Sequence, residues 1–193
     1  MELSDSALTT KDNIPDHMLL KIEQIGIETE QLINVASEKI ENYCNREFKL
    51  DTRQEKYQGK NSKWLLLNNW PVHEVIEIKY YEEAIDDYDV NKNGHIYRSA
   101  GWNGSKDSEK YNIEVEYKAG YKLPGEDDRD LPEQIEFACI LLVKSLFDRM
   151  MRDLDISSKQ VPDFSEVYFN PNMLEGMPVP VQNLLNDYKR QLV

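Results

Sequence analysis

Only two cysteines occur, Cys44 and Cys139, each inside a helical pattern, so a disulfide framework or a cysteine-rich zinc cluster is excluded. Long apolar runs are missing too. The longest, Phe137 to Val143, has seven residues, far short of the roughly 18 that a bilayer span requires. The opening Met1 to Asp5 has neither a basic flank nor an apolar stretch, so no secretory signal is expected and the chain reads as a soluble protein of a reducing cytoplasm. No segment is basic. Residues 1–52 carry a net charge of −6, 53–122 of −1, 123–152 of −3 and 153–193 of −3, so the electrostatic footprint of a protein that grips phosphate backbones is absent. Neither a glycine loop that cradles phosphate nor a serine elbow is found, and nothing argues for an enzyme.

What is present suffices for a folded core. Of 193 residues 40% are hydrophobic and 10% aromatic, with 36 acids against 23 bases and a net charge of −13. Excess acid of this kind favours solubility. The length suits one domain, or one with an appendage.

Periodicity divides the chain. Residues 1–13 are polar and expected to be loose. Asn13 and Pro15 mark a helix start, and Met18, Leu19, Ile22 and Ile25 recur at helical spacing up to Gly26, predicting a helix over 15–25. A longer helix follows over 28–46, with Leu32, Ile33, Ala36, Ile40, Tyr43 and Cys44 on one stripe. Phe48 is expected to fold back onto the same core. From Arg53 short runs at 53–58, 63–67, 72–81, 86–90, 95–98 and 111–118 are separated by glycine- and asparagine-containing turns. Ile113 to Tyr117 alternates apolar and polar, and eight of the eleven tyrosines fall in 53–122; both favour half-buried strands. A third helix is predicted over 131–152. Acids precede it, Pro132 sits in its first turn, Arg149 and Arg152 lie in its last, and Ile135, Ala138, Cys139, Leu142, Leu146 and Met150 form its buried stripe. The fold class expected is α+β: a bundle core of three main helices, an inserted antiparallel sheet of hairpins, and an extended C-terminal arm ending in a short helix. Residues 1–152 would form the body and 153–193 the arm.

Candidate chemistry is sparse. Asp89 to Gly94 copies the opening of a calcium loop, D-x-N-x-N-G, but the twelfth position, where a bidentate glutamate belongs, is Ala100. A tight turn through Asn93 and Gly94 accounts for the pattern. His17, His73 and His95 are isolated from one another, so no metal site is expected. The acids of 126–130 suit a helix N-terminus, and Cys139 reads as a small buried hydrophobe. No catalytic, cofactor or metal site is predicted. The arm is different. Residues 153–178 hold three prolines and no helical period, yet also Phe164, Val167, Tyr168 and Phe169, too much apolar surface for a passive linker. The closing helix, expected from about Val181 to Gln191, adds Leu184, Leu185 and Tyr188 on one face with Arg190 near its end, the pattern of a helix that docks in a groove, either on a partner or back over its own bundle.

The order of several short motifs is informative. They are Ala7 to Thr10, Ile40 to Phe48, Tyr57 to Gly59, Trp64 to Leu67, Asn69 to Val75, Asp89 to Arg98, Val115 to Tyr121 with Leu131 to Glu133, Ile156 to Ser165, and Leu184 to Arg190. In this order they resemble the head–tail connector (adaptor, or head completion) family of tailed bacteriophages over about residues 7–190. One departure is Pro162, where the family's arm carries a glycine. The resemblance implies a structural, non-catalytic virion protein at the head–tail junction, assembled from the host cytoplasm. Its partners would be the portal protein, neighbouring copies in a dodecameric ring, a stopper or tail-completion protein, and double-stranded DNA that passes without specific binding; no membrane and no cofactor are implied. The matching arm is the family's docking element, so Phe164, Val167, Tyr168, Phe169, Leu184, Leu185, Tyr188 and Arg190 are the expected contacts with portal or a neighbour. The alternative is a cellular adaptor or peptide-binding module without catalytic activity. In that case the tyrosine-rich sheet would hold a peptide.

Overall fold

Helices and strands occupy separate stretches of the chain, as the change of period predicts, and the fold is α+β. A computed structural model describes residues 2–24, 26–104, 111–158 and 176–190, with the backbone alone over 152–158. Two units are formed, one from Met1–Asn45 with Leu123–Val193 and one from Arg46–Lys122.

The helical unit holds α1 (Asp16–Gln24), α2 (Thr29–Cys44), α3 (Glu133–Ser158) and α4 (Val179–Leu185). In α1, Met18 and Ile22 are buried, while Ile25 lies outside the described residues. In α2, Leu32, Ile33, Ala36, Ile40 and Cys44 form the buried stripe. The helix ends two residues sooner than expected. Asn45 takes φ +52° and donates its N–H back to the carbonyls of Asn42 and Glu41, a left-handed cap that asparagine tolerates. α1 packs on α2, α2 on α3, and α4 on α3.

The N-terminus, α3 and the closing helix differ from expectation. Residues 1–13 are not loose: Ala7, Leu8 and Thr9 are buried, the Leu8 N–H donates to Ser37 Oγ at 3.0 Å, and Lys11–Asn13 form a 3₁₀ turn. Short polar stretches hide such packing because their few apolar residues show no period. α3 continues to Ser158, about 39 Å at 1.5 Å per residue, so Arg149 and Arg152 lie well before its end and do not complement its last turn. Met150 is exposed, and Val143 and Phe147 are buried instead. The closing helix stops at Leu185, and Asn186–Tyr188 form a 3₁₀ turn.

The sheet unit contains two antiparallel sheets rather than one. β1 (Asp51–Tyr57), β3 (Val72–Tyr80), β4 (Glu83–Ala84) and β7 (Ile113–Ala119) form the first in the order β1-β7-β3-β4; β2 (Ser62–Leu66), β5 (Asp89–Val90) and β6 (His95–Trp102) form the second in the order β2-β6-β5. One apolar cluster lies between them, with Ile78, Ile113, Val115 and Tyr117 from the first and Leu65, Ile96 and Trp102 from the second. Phe48, near the start of this unit's segment, is fully buried, with the Arg46 guanidinium 4.9 Å from the centre of its ring. Gly120 closes β7 at φ +116°, and a Cβ there would stand 2.3 Å from the Lys49 carbonyl oxygen, so only glycine fits.

A polar hub sits at the β1 edge of this core. The Glu55 carboxylate accepts from the Tyr57 hydroxyl, from Asn69 Nδ2 at 3.2 Å and from the Asn68 N–H at 3.4 Å. The Tyr117 hydroxyl accepts from the Asn69 N–H at 3.3 Å. Burial, reinforced by the Glu55 charge, pushes both phenols, Tyr57 and Tyr117, well above the ordinary tyrosine range. Above pH ~10 the unfolded chain loses these protons while the folded chain keeps them, so stability falls as pH rises past that point. A spectrophotometric alkaline titration should show two tyrosines silent until the protein unfolds. Ionisation of every tyrosine near pH 10 with the fold intact would refute this.

Candidate assembly surfaces

The calcium-like stretch folds as a hairpin turn between β5 and β6. Asn91 Oδ1 accepts from the N–H groups of Asn93 at 3.0 Å and His95 at 3.1 Å, the Gly94 N–H donates to the Asn91 carbonyl at 3.0 Å, and Gly94 takes φ +79°. The side-chain oxygen that a cation would need thus faces the turn's own backbone. Among the described residues no three His, Cys, Asp or Glu side chains converge as a metal site would require. His73 Nε2 lies 2.9 Å from the Gly120 carbonyl oxygen, and His95 belongs to an aromatic cluster described below. Cys139 is buried, and burial pushes its thiol up to about 12, far from a reactive thiolate. Among the described residues no helix is long and apolar enough to cross a membrane.

The acidic run before α3 contains one base. Arg129 within it donates to both Glu133 and Glu136. Glu136 is buried and also accepts from Thr9 Oγ1 at 3.2 Å and Asn13 Nδ2 at 2.7 Å. Asn13 therefore ties the N-terminal segment to α3. Its expected place near a helix cap is taken up by this bond.

Of the arm residues, Phe164, Val167, Tyr168 and Phe169 lie outside the described residues. The four beyond them are placed on the helical unit. Leu185 is fully buried, as are Val181 and Met177 within a few per cent, so its side chain belongs to the chain's own core. Leu184, Tyr188 and Arg190 are half-buried and keep surface to offer. The segment after α4 is fastened along its length. Tyr43 donates to Asn186 Oδ1 at 3.2 Å, Tyr188 donates to Gln134 Oε1 at 3.0 Å, the Arg190 N–H donates to the Cys44 carbonyl at 2.8 Å, and Lys189 Nζ stands 3.7 Å from the centre of the Tyr43 ring. The Arg190 bond satisfies a carbonyl in the last turn of α2.

Two of the sequence motifs, Trp64 to Leu67 and Asp89 to Arg98, meet in a surface that the sequence did not reveal. Trp64 on β2 is 56% exposed and pairs across the strands with Tyr97 on β6. Their rings lie 4.9 Å apart, and His95 meets Trp64 edge-on at 6.4 Å. Leu65 and Ile96, the next pair along, point inward and are buried, so the three rings share the outer face. Strand alternation around an apolar run, Trp64 to Leu67, is the signal that could have found it.

Comparison with known proteins places this arrangement. No curated relative matches the chain. Among solved structures, a protein from "Neck of native GTA particle computed with C12 symmetry" is similar at TM-score 0.53 and 12% identity, over 100% of this chain and 97% of that one. A second, from "Neck of empty GTA particle computed with C6 symmetry", gives 0.53 and 13% over 90% and 82%, and a third, from "Virion of native gene transfer agent (GTA) particle", gives 0.52 and 12% over 100% and 97%. At such identities the likeness is one of fold. The head completion protein family matches residues 7–190, nearly the whole chain in one continuous span, and to that family this protein belongs.

Proposed function

We propose that this chain is a structural, non-catalytic subunit of the head–tail junction in a phage-like particle. It would form a ring beneath the portal protein, extend the DNA channel and carry the stopper or tail-completion protein. The observation behind this reading is the family match over residues 7–190, supported by a shared fold with neck proteins along the full chain. Ring symmetry named for the similar necks suits a subunit with two unlike surfaces, since a closed ring is built from head-to-tail contacts. The C-terminal arm, 153–193, is the proposed docking element, through Phe164, Val167, Tyr168 and Phe169 and through the half-buried Leu184, Tyr188 and Arg190. The acid excess suits the channel: with a net charge of −13 each copy repels the phosphate backbone, and DNA slides without being held. The place of action is the virion, with assembly in the host cytoplasm.

The test mixes the full chain with purified portal rings and weighs the product by native mass spectrometry. A portal carrying a complete ring of this chain is expected, with no gel shift of duplex DNA by the free chain at physiological salt. A chain that ignores portal, or that binds duplex tightly and in a salt-sensitive way, would sink the proposal.

A further inference from the structure

We infer that the outer face of β2 and β6, centred on Trp64 and Tyr97, seats the next copy of this chain, which lays its acid-rich helical unit there. This rests on the ring reading above. The first observation is a tryptophan held ready at the surface. Trp64 is 56% exposed, and Tyr97 at 4.9 Å and His95 at 6.4 Å fix its ring, so docking would order little that is not already ordered. A large aromatic side chain of this kind is the commonest anchor of a protein interface. β2 is moreover an edge strand of its sheet, open to approach from outside.

Charge identifies the occupant. Residues 46–122 carry 13 basic and 14 acidic side chains, a net charge of −1, while the remaining residues carry 10 and 22, a net charge of −12. Two helical units brought face to face would set −12 against −12. The near-neutral sheet unit, in which exposed bases such as Lys63 in β2 and Lys92 in the turn before β6 offset the acids, is where an acidic neighbour meets least repulsion. Contact between the sheet unit of one copy and the helical unit of the next also joins unlike surfaces, which is the condition for closing a ring. Two Trp64 faces laid together would instead give a two-fold dimer.

The experiment replaces Trp64 with the photoreactive residue benzoylphenylalanine in the full chain. The protein is irradiated alone at high concentration and raised salt, and again with portal rings. Chain-to-chain products are expected, with the captured peptides mapping to the helical unit. In parallel, Trp64→Glu should weaken self-association at least about tenfold by sedimentation and leave incomplete rings on portal. Its melting should be unchanged and single subunits should still dock. Tyr111→Ala, which removes another exposed ring of the sheet unit, should assemble as the parent does. Capture of the partner's sheet unit, or full assembly by Trp64→Glu, would overturn the inference. Capture of portal alone would overturn it and leave the head–tail reading standing. Absence of chain-to-chain products together with failure of the unlabelled chain to assemble on portal would overturn both.

Discussion

Leu185→Ala should destabilise the protein by about 2–5 kcal/mol, the range for emptying a fully buried leucine site. Leu185 is wholly excluded from solvent and Val181 and Met177 nearly so; all three lie on or just before a helix of seven residues that is far too short to stand alone. α4 therefore exists because α3 gives it a surface, and the closing turn is pinned to α2 by Tyr43 and by the Arg190 N–H. The family resemblance predicts an arm whose removal after Arg152 leaves the body folded, where composition leaves an arm wrapped over its own bundle nearly as open. The packing points to another outcome, since truncation there strips three buried side chains from the helical unit and frees a carbonyl of α2. Thermal denaturation followed by circular dichroism checks both. Val179→Ala, at an exposed position of the same helix, should stay within about 0.5 kcal/mol of the parent. A truncated chain that melts like the parent, or a Leu185→Ala variant with unchanged stability, would show that α4 is a passenger.

The same contrast explains how much was legible in the sequence. Long periodic segments were readable because one stripe of apolar residues at helical spacing admits one solution: Leu32, Ile33, Ala36, Ile40 and Cys44 are buried together, and so are Ile135, Ala138, Cys139 and Leu142. The strict alternation of Ile113 to Tyr117 likewise ends with Ile113, Val115 and Tyr117 in the core. What escaped was set by partners distant in sequence. Tyr81 and Glu82 turn the β3–β4 hairpin at φ +52° and +70°, where asparagine and glycine are the usual occupants, so no local signal marked the turn. The split into two sheets depends on which strands pair, and neither pattern nor propensity encodes that. Arg46 gave no sign of its place, 3.8 Å over the Trp70 ring and buried in the sheet unit. On the functional side the order of motifs led to the family, while the aromatic face of β2 and β6 required knowing that Trp64 points outward.

Glu136→Ala should cost about 2–4 kcal/mol and loosen the N-terminal segment more than any other part of the helical unit. Glu136 sits on the inward side of α3 beside Ile135 and is 4% exposed, a position where a carboxylate persists only if its acceptors are used. They are: Thr9 Oγ1, Asn13 Nδ2 and the Arg129 guanidinium all donate to it. Removing the carboxylate leaves the fully buried Thr9 hydroxyl without this acceptor, at about 1–3 kcal/mol, and breaks an ion pair. Breaking a fully buried pair costs about 3–5 kcal/mol, but the Arg129 side chain is 34% exposed, so water screens part of that loss. Glu136→Gln keeps an acceptor for Thr9 and Asn13 and gives up only the charge on Arg129, and should cost about half as much. A cycle combining Glu136→Ala with Arg129→Ala isolates the pair itself, because contacting residues fail to add by their coupling energy. The structural readout is hydrogen exchange. The Leu8 N–H, bonded to Ser37 Oγ, and the Ile14 N–H, bonded to the Lys11 carbonyl, lie on either side of the Thr9 and Asn13 anchors and should lose protection in Glu136→Ala before the amides of α2 do. Equal loss across both elements would mean global destabilisation without a local anchor. A Glu136→Ala variant as stable as the parent would mean that the bonds of Glu136 to Thr9, Asn13 and Arg129 contribute nothing.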